Sequence, residues 1–592
     1  MESNTPLPNP ELDLLLGNKQ DGFNYVQRRY DEWSENYTLY RNRVVYNRLN
    51  QRQTVVLPLM KMGLRTLLKD VDDLPVIEFQ NLDNDTEKEV FQNEYWKLIG
   101  DENHNNFEIA DIIDKKQVFH TGRTFDQWQI LNGWIKQTII NPKNILVSRY
   151  TDPKDLHSSR FLIHTHIFTP LSILEDNPDY DKREVAKLKN FYATEQGLIK
   201  AKDNLEMYEK STQELRELGV EDIDSPVLGE TYVELSMHFV YKKPKDSTEE
   251  ELHLFVEADD MVILMKKPLE EVIGVTKDHF FKTHFPYCSW GDDIDNTDFW
   301  TDGIADILRN PNKVLNTWYS QMVENRTLRN YGMHYYDGNI ADQAGFTPQI
   351  WEPQPWGWYK LPGKPADMLQ KVDIPDLSES LDEMQFVIEM SEKASGANST
   401  QQGATEQKQV TLGEVELALG EAKERIKGMS KFYTNVWKQR AYMFLKLIEA
   451  GADKIDAVKI YKKGRNTDEL YMREVAPSDW MTESGYTVKV WSQDERNADN
   501  ENKIQRINAT KANMPDNPVV DKVFKRRLLE FGDFAPDEVK EAMDFEEQKQ
   551  QAILMAQQQA EQQAQMGQPQ LGAGQQPVQQ IMSGQPPQQG VM

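Results

Sequence analysis

From Thr411 the chain reads "TLGEVELALGEAKERIKGMSKFYTNVWKQRAYMFLKLIEAG", and this stretch constrains the fold more than any other. Thr411 and Glu414 have the spacing of a capping box, and Val410 with Val415 supplies the hydrophobic staple around it. Apolar residues then recur at positions 415, 419, 422, 426, 429, 433 and 436, and the pattern runs on to Ile448 before Gly451 closes it. Close to forty residues of helix span about 55 Å at 1.5 Å per residue. One small domain cannot bury such a stripe, so the helix must cross a large interface. Gly420 and Gly428 lie inside it, each costing about 1 kcal/mol against alanine, which predicts a kink or a close approach there.

The segment in front is its opposite. "KASGANSTQQGATEQKQVT", Lys393 to Thr411, holds no large apolar side chain before Val410. It follows "LSESLDEMQFVIEMSEKASG", a helix that Gly396 is expected to stop. Both ends of the linker are therefore firm, and its middle is soft.

A chain of 592 residues exceeds one ordinary core, and roughly three or four domains are expected. The formal charge of -28 argues against general affinity for nucleic acid, though it does not exclude a channel that nucleic acid passes without sticking. One cysteine, Cys288, excludes an internal disulfide framework and points to a reducing compartment. No signal peptide or membrane-length apolar run is legible, so the expectation is a protein made in the cytosol.

Residues 22–70 read as helix with many arginines and lysines, expected to be a solvated face salt-bridged to acidic neighbours. "LPVIEF" reads as a strand, and residues 84–99 and 106–118 as helices. Two β-rich runs follow around the turn at Asp152-Pro153, then charged helix over 171–219. In "YVELSMHFVY" the side chains of Val233, Leu235, Met237, Phe239 and Tyr241 share one side, the period of a half-buried strand. "HLFVE" and "MVILM" continue it as an antiparallel meander. Further on, Asn310 is the expected N-cap of a second helix with Pro311 at its first position, and Val314, Trp318 and Met322 form its apolar stripe. Residues 330–376, with Trp351, Trp356 and Trp358, suggest a small β-rich module whose tryptophans are either its core or a docking surface. After "YTVKVW" comes more helix, from 494 to about 545. The last 42 residues carry sixteen glutamines and one charged side chain, Glu561, a composition expected to be partly helical and partly disordered.

Catalytic signatures are missing. "GWYKLPGKP" has one residue too many between its glycines for a phosphate loop, and Pro365 stands where a Ser or Thr is needed. His164 and His166 in "HTH" would face the same way in a strand, without a partner ligand nearby. "DDIDNTD" lacks the central glycine and distal Glu of a calcium loop, so Thr297 or Asp298 is expected to cap the next helix. Cys288 is expected to be a packed thiol. No cofactor and no metal site is expected.

The order of these parts resembles the portal proteins (head–tail connectors) of tailed double-stranded DNA bacteriophages, particularly the longer portals of short-tailed phages. The resemblance covers roughly residues 25–545. "YTLYRNRVVYNRL" is similar to the family's opening wing helix and "NPKNILVSRYTDP" to its strand ending in Asp-Pro. "HFPYCSWGDDIDNTDFWTDGIADILRNPNKVLNTWYSQMVENR" looks like its Pro-containing segment and following helices, with the Asn at 316. Helix, "SGANSTQQG" loop and long amphipathic helix are the most recognisable part. The Gln-rich tail has no fixed counterpart, since such tails vary in length.

The resemblance implies an α+β, ring-forming fold: an N-terminal wing over 1–295, stem helices over 296–328 and 378–395, and a clip over 329–377. It further implies a tunnel loop over 396–410, long helix and wing over 411–490, a crown over 491–550, and a tail over 551–592 that is disordered or continues a helical barrel. It implies a dodecamer at the capsid vertex of the virion, assembled in the host cytoplasm without a membrane. DNA would be packaged through it by the terminase large subunit and later ejected. Major capsid, scaffolding and tail adaptor proteins would be its neighbours. Lys393, Asn398, Ser399, Thr400, Gln401, Gln402 and Lys408 would line the constriction around double-stranded DNA. Tyr335, Tyr336, Trp351, Trp356 and Trp358 would form the docking surface of the clip. No enzymatic activity is expected, because the motor's nucleotide site belongs to the terminase. The alternatives are another structural or scaffolding virion protein without a DNA channel, and a nuclease or translocase of the packaging machine.

Overall fold

The computed structural model describes residues 9–43, 56–70, 74–83, 86–101, 104–218, 230–243, 249–274, 280–292, 294, 297–330, 334–336, 339, 343, 369–371, 380–395, 412–463, 470–482, 484–491, 504–509, 524–525, 545 and 555. Helices and sheets are mixed, and the chain divides into two units. The first comprises Met1–Lys462 and Met472–Glu495, the second Lys463–Tyr471 and Arg496–Met592. In the second, residues 504–509 are helical; the remainder of the expected 494–545 helix and of the Gln-rich tail lies almost wholly outside the described residues.

In chain order the elements of the first part are α1 (Pro10–Tyr40), α2 (Leu59–Asp70), β1 (Val76–Asn81), α3 (Thr86–Ile99), α4 (Phe107–Thr121), β2 (Arg123–Leu131) and β3 (Trp134–Ile140). Then come β4 (Ile145–Val147), β5 (Phe161–Pro170), α5 (Leu171–Asp176), α6 (Lys182–Tyr192), α7 (Glu195–Leu218), β6 (Tyr232–Lys242), β7 (Glu251–Ala258), β8 (Val262–Pro268), α8 (Leu269–Ile273) and β9 (Tyr287–Gly291). The rest are α9 (Ile304–Asn330), β10 (His334–Tyr336), β11 (Leu369–Lys371), α10 (Ser380–Ser395), α11 (Leu412–Gly451), β12 (Val458–Lys463), β13 (Leu470–Val475), α12 (Pro477–Trp480) and β14 (Tyr486–Trp491).

The expected meander is present as part of a five-stranded antiparallel sheet in the order β4-β5-β6-β7-β8. Its period was misjudged at β6. The strand buries Glu234, Ser236 and His238 as well as Val233, Leu235 and Phe239, so both faces are covered. Two layers account for this. Helices α6 and α7 pack against β8 and β6, and Phe239 meets Tyr287 of β9 with ring centroids 5.4 Å apart.

A second sheet, β3-β2-β9, was not legible. Its central strand buries Arg123, Thr124, Asp126 and Gln127 beside Phe125 and Trp128, so no alternation of apolar and polar residues marks it. Two smaller sheets pair β1 with β14 and β12 with β13. The basic α1 behaves as expected where Arg29 ion-pairs with Glu32, Asp302 and Asp306.

The break expected at Asn310 does not occur. Helix α9 runs unbroken from Ile304 to Asn330 with Pro311 inside it, so Asn310 is no N-cap and the expected start at 296 falls eight residues early. An interior proline costs about 3 kcal/mol through its missing N–H and its clash with the preceding turn. Packing on both sides of it offsets this: Ile304, Ala305 and Leu308 are buried before it and Leu315 after it. Arg309 and Lys313 also reach Glu35 of α1. Asp298 does not cap the helix either; its carboxylate accepts from the Tyr25 hydroxyl (2.5 Å) and the Trp300 N–H (3.1 Å).

Candidate functional site

Three helices hold the features that carry the proposed reading: the outgoing α9, the returning α10, and the long α11. Between α9 and α10 the chain passes through β10 and β11, which pair antiparallel with His334 opposite Lys371 and Tyr336 opposite Leu369. Helix α10 packs along α9. The chain thus leaves the core along one helix, passes the paired β10 and β11, and packs back along the first helix with the other.

Each of these helices buries a mixed face and leaves large apolar side chains uncovered elsewhere. Helix α9 buries Asn312, Asn316 and Ser320 together with Leu315, and Asn316 Oδ1 accepts from the Leu57 N–H at 2.7 Å. The expected stripe is left at the margin: Val314 is exposed, and Trp318 and Met322 are half-buried. Helix α10 turns Met384 and Ser391 inward and exposes Phe386 (63%) and Met390 (49%), one turn apart on the other side.

Helix α11 runs from Leu412 to Gly451, 40 residues, close to the expected length and end. Its C-terminal half is embedded in the core. Tyr433, Val436, Trp437, Ala441, Phe444 and Leu447 are all buried, with Phe444 against Trp96 (5.0 Å) and Trp437 against Phe107 (5.6 Å). Arg440 falls on the same face and is fully buried. Its Nη2 donates to Asp114 Oδ2 and to Asp126 Oδ1, each at 2.9 Å, and its Nε lies 3.2 Å from both Asp126 oxygens. Each carboxylate has further donors. Trp290 Nε1 donates to Asp114 (2.7 Å), while Trp128 Nε1 (2.5 Å) and Gln137 Nε2 (3.1 Å) donate to Asp126.

Two turns earlier on α11, the Tyr433 hydroxyl donates to Asp111 (2.6 Å), which also pairs with Lys115 at 2.6 Å. Local chain geometry makes this arrangement possible. Asp111 and Asp114 project from α4, and Gly122 ends that helix with φ 77°, letting the chain turn straight into β2 and present Asp126. A Cβ at Gly122 would meet the Thr301 carbonyl.

Burial opposes the charge on Arg440, but Asp114 and Asp126 outweigh it and hold the guanidinium above its ordinary range. Burial likewise pushes Asp126 up, with Arg440 acting against it. Cys288, on the neighbouring strand, is buried and its thiol is raised by burial, the inert packed thiol that was expected. This cluster is a clamp: Arg440 pairs with both carboxylates, while its Nη1 and Asp114 Oδ1 are buried without a hydrogen-bond partner among the described residues.

Sequence reasoning missed the clamp. The signal was available in Arg440, which occupies a core position of the apolar register that runs through 433, 437 and 444.

Of the residues expected to act, Lys393 lies in the last turn of α10. Tyr335 and Tyr336 lie in β10, with Tyr335 opposite Gln370. Trp351, Trp356, Trp358, Asn398, Ser399, Thr400, Gln401, Gln402 and Lys408 lie outside the described residues, as do Gly396 and the Thr411 end of the capping box.

His164 and His166 do not face one way. The β5–β6 register shifts between His164 and Ile167, and His166 takes φ 57°, so a bulge turns the second imidazole aside. His164 contacts the Tyr287 hydroxyl at 3.1 Å, and His166 pairs with Glu234 at 2.7 Å. Among the described residues no group of three or more His, Cys, Asp or Glu could hold a metal ion, and no helix is long and apolar enough to cross a membrane. No protein-family model matches the chain, and no curated protein matches it.

Proposed function

We propose that this chain is a portal protein of a tailed double-stranded DNA bacteriophage. Copies of it form a ring at the capsid vertex, DNA is packaged and ejected through the ring, and the head–tail junction is built on it. The observation that carries this reading is on the stem helices: beyond Pro311, α9 buries Asn312, Asn316 and Ser320 beside Leu315, while Val314, Phe386 and Met390 are left exposed. Apolar side chains left uncovered along paired helices call for a neighbouring copy. Ring closure through repeated heterologous contacts supplies one to every subunit.

The roles follow from position in the chain. Helices α9 and α10 form the stem, the β10–β11 end forms the clip that meets the terminase and later the tail adaptors, and residues 396–410 form the tunnel loop. The Arg440 clamp fixes the far half of α11 to the wing, so the loop is presented from a firm base. The charge of -28 suits a wall along which phosphates slide. Lys393 and Lys408, with Asn398, Ser399, Thr400, Gln401 and Gln402, make weak contacts at the constriction.

Negative-stain images of the purified full-length protein test the reading, with a twelvefold ring around a central hole as the expected result. Deleting 398–407 leaves such rings intact and lowers DNA retention. A protein that stays monomeric at every concentration, or a deletion with unchanged phage yield, overturns it.

A further inference from the structure

Two surface patches sit at opposite ends of β5, and each has what the other lacks. The first is the turn between β4 and β5. It is held tightly from within: the Thr151 and Ser159 hydroxyls lie 2.8 Å apart, Ser159 Oγ accepts from the Ser148 N–H (3.1 Å), and the Asp152 N–H donates to Ser158 Oγ (2.8 Å). Arg123 Nη2 donates to the Pro153 carbonyl at 2.7 Å. On this braced turn Tyr150 stands 91% exposed. Beside it Arg149 is exposed and has no partner among the described residues. Tyrosine and arginine are the side chains that most often dominate binding energy, and a pre-ordered turn loses little entropy on docking.

The second patch is the outer face of α7. The Phe168–Tyr208 ring pair (5.5 Å) and the bond from Asn204 to the Tyr232 carbonyl (3.1 Å) hold α7 over the end where β5 finishes and β6 begins. There Leu198 and Ile199 are 64% and 59% exposed, next to an exposed Glu195 that has no partner among the described residues. Ten residues of strand separate the two ends, about 33 Å.

We infer that the Arg149–Tyr150 turn of one copy docks on the Glu195–Leu198–Ile199 face of α7 in the next. This rests on the ring reading above and names a pair of wing surfaces that makes the contact. The Tyr150 ring covers the two aliphatic side chains, and Arg149 meets Glu195. The occupant is a second copy because both halves are carried by one chain and their charges are complementary. Pairing each turn with itself would set arginine against arginine, so the turn of one copy meets the helix of another; in the proposed ring this contact repeats head to tail. Asp152 and Asp155 flank the turn and disfavour a phosphate ligand in its place.

Native mass spectrometry and sedimentation of the full-length protein test this. Arg149→Glu, Tyr150→Ala and Glu195→Arg each raise the concentration for half-assembly by about tenfold or more, while monomer melting stays unchanged. The double variant Arg149→Glu with Glu195→Arg restores the charge pair and brings assembly back to within about threefold of wild type. Rings that form normally in the single variants, or a charge swap that restores nothing, overturn the inference and leave the ring reading standing. A wild-type protein that forms no ring removes the ring reading, and this inference with it.

Discussion

Replacing Arg440 by Met removes the cation from a buried site and leaves Asp114 and Asp126 facing each other's field. Both carboxylates are fully buried, with side-chain exposures of 1% and 0%. Removing one partner of a buried ion pair costs about 3–5 kcal/mol, because the charge left behind keeps its desolvation penalty and loses its compensation. Here one arginine serves two carboxylates, so a loss at the upper end of that range, about 5 kcal/mol at pH 7, is expected.

The pH dependence carries a sign. Without Arg440, burial holds the folded-state pKa of Asp126 above its unfolded value. Such a group is stabilising below its folded pKa and loses that contribution as pH rises through it. The deficit of Arg440→Met therefore shrinks as pH falls from 7 toward 5. Urea unfolding at fixed protein concentration measures both quantities, and Trp128, Trp290 and Trp437 report directly because they contact the cluster. Combining Arg440→Met with Asp114→Asn and Asp126→Asn removes the orphaned charges and recovers most of the loss. A deficit below about 1 kcal/mol, or one that grows toward pH 5, refutes the clamp.

The buried histidines set a second pH dependence. Burial lowers His120 to about 4 and His157 and His164 to about 3, so all three are neutral in the fold and bind protons on unfolding below their ordinary range. Their contribution is complete above pH 6.5 and falls by about 1.4 kcal/mol per pH unit for each as the pH drops toward those values; a urea midpoint identical at pH 7 and pH 5 contradicts this. Gly274 takes φ 141°, and a Cβ there would meet the Ala450 carbonyl at the end of α11. Gly274→Ala is therefore expected to lower stability by about 2 kcal/mol or more, read as a drop in melting temperature, and an unchanged melt rules the contact out.

What the sequence made legible follows the strength of local periodicity. The long helix was readable because its apolar stripe persists over many turns and ends at a glycine. The β6-β7-β8 meander was readable because β-branched and aromatic runs alternate with turns. The β3-β2-β9 sheet was not, because β2 fills its buried positions with Arg123, Asp126 and Gln127, and the partners of Arg123 and Asp126 come from the turn after β4, β3 and α11. Pro311 misled because local rules stop a helix at proline, while here tertiary packing on both sides carries the helix through. The two histidines misled because a single bulge residue reverses the side on which the next side chain emerges. Long-range pairing decides each of these positions, and a one-dimensional pattern does not record it.

The clamp and the stem faces answer different needs. Within one chain, buried polar groups are tied across elements: Arg440 with its two aspartates, Tyr433 with Asp111, and Asn316 with the Leu57 backbone. Such contacts are directional, and a displacement of about 1 Å would break several at once, so the C-terminal half of α11 cannot slide against α4 and β2. Apolar contacts tolerate sliding, and α9 and α10 expose Val314, Phe386 and Met390 among their polar side chains. In the proposed ring, movement would therefore fall on the stem helices and on the soft segment before α11, while the wing stays fixed. The order of the chain supports that division, since the loop expected to meet DNA lies between an apolar-faced helix and a clamped one.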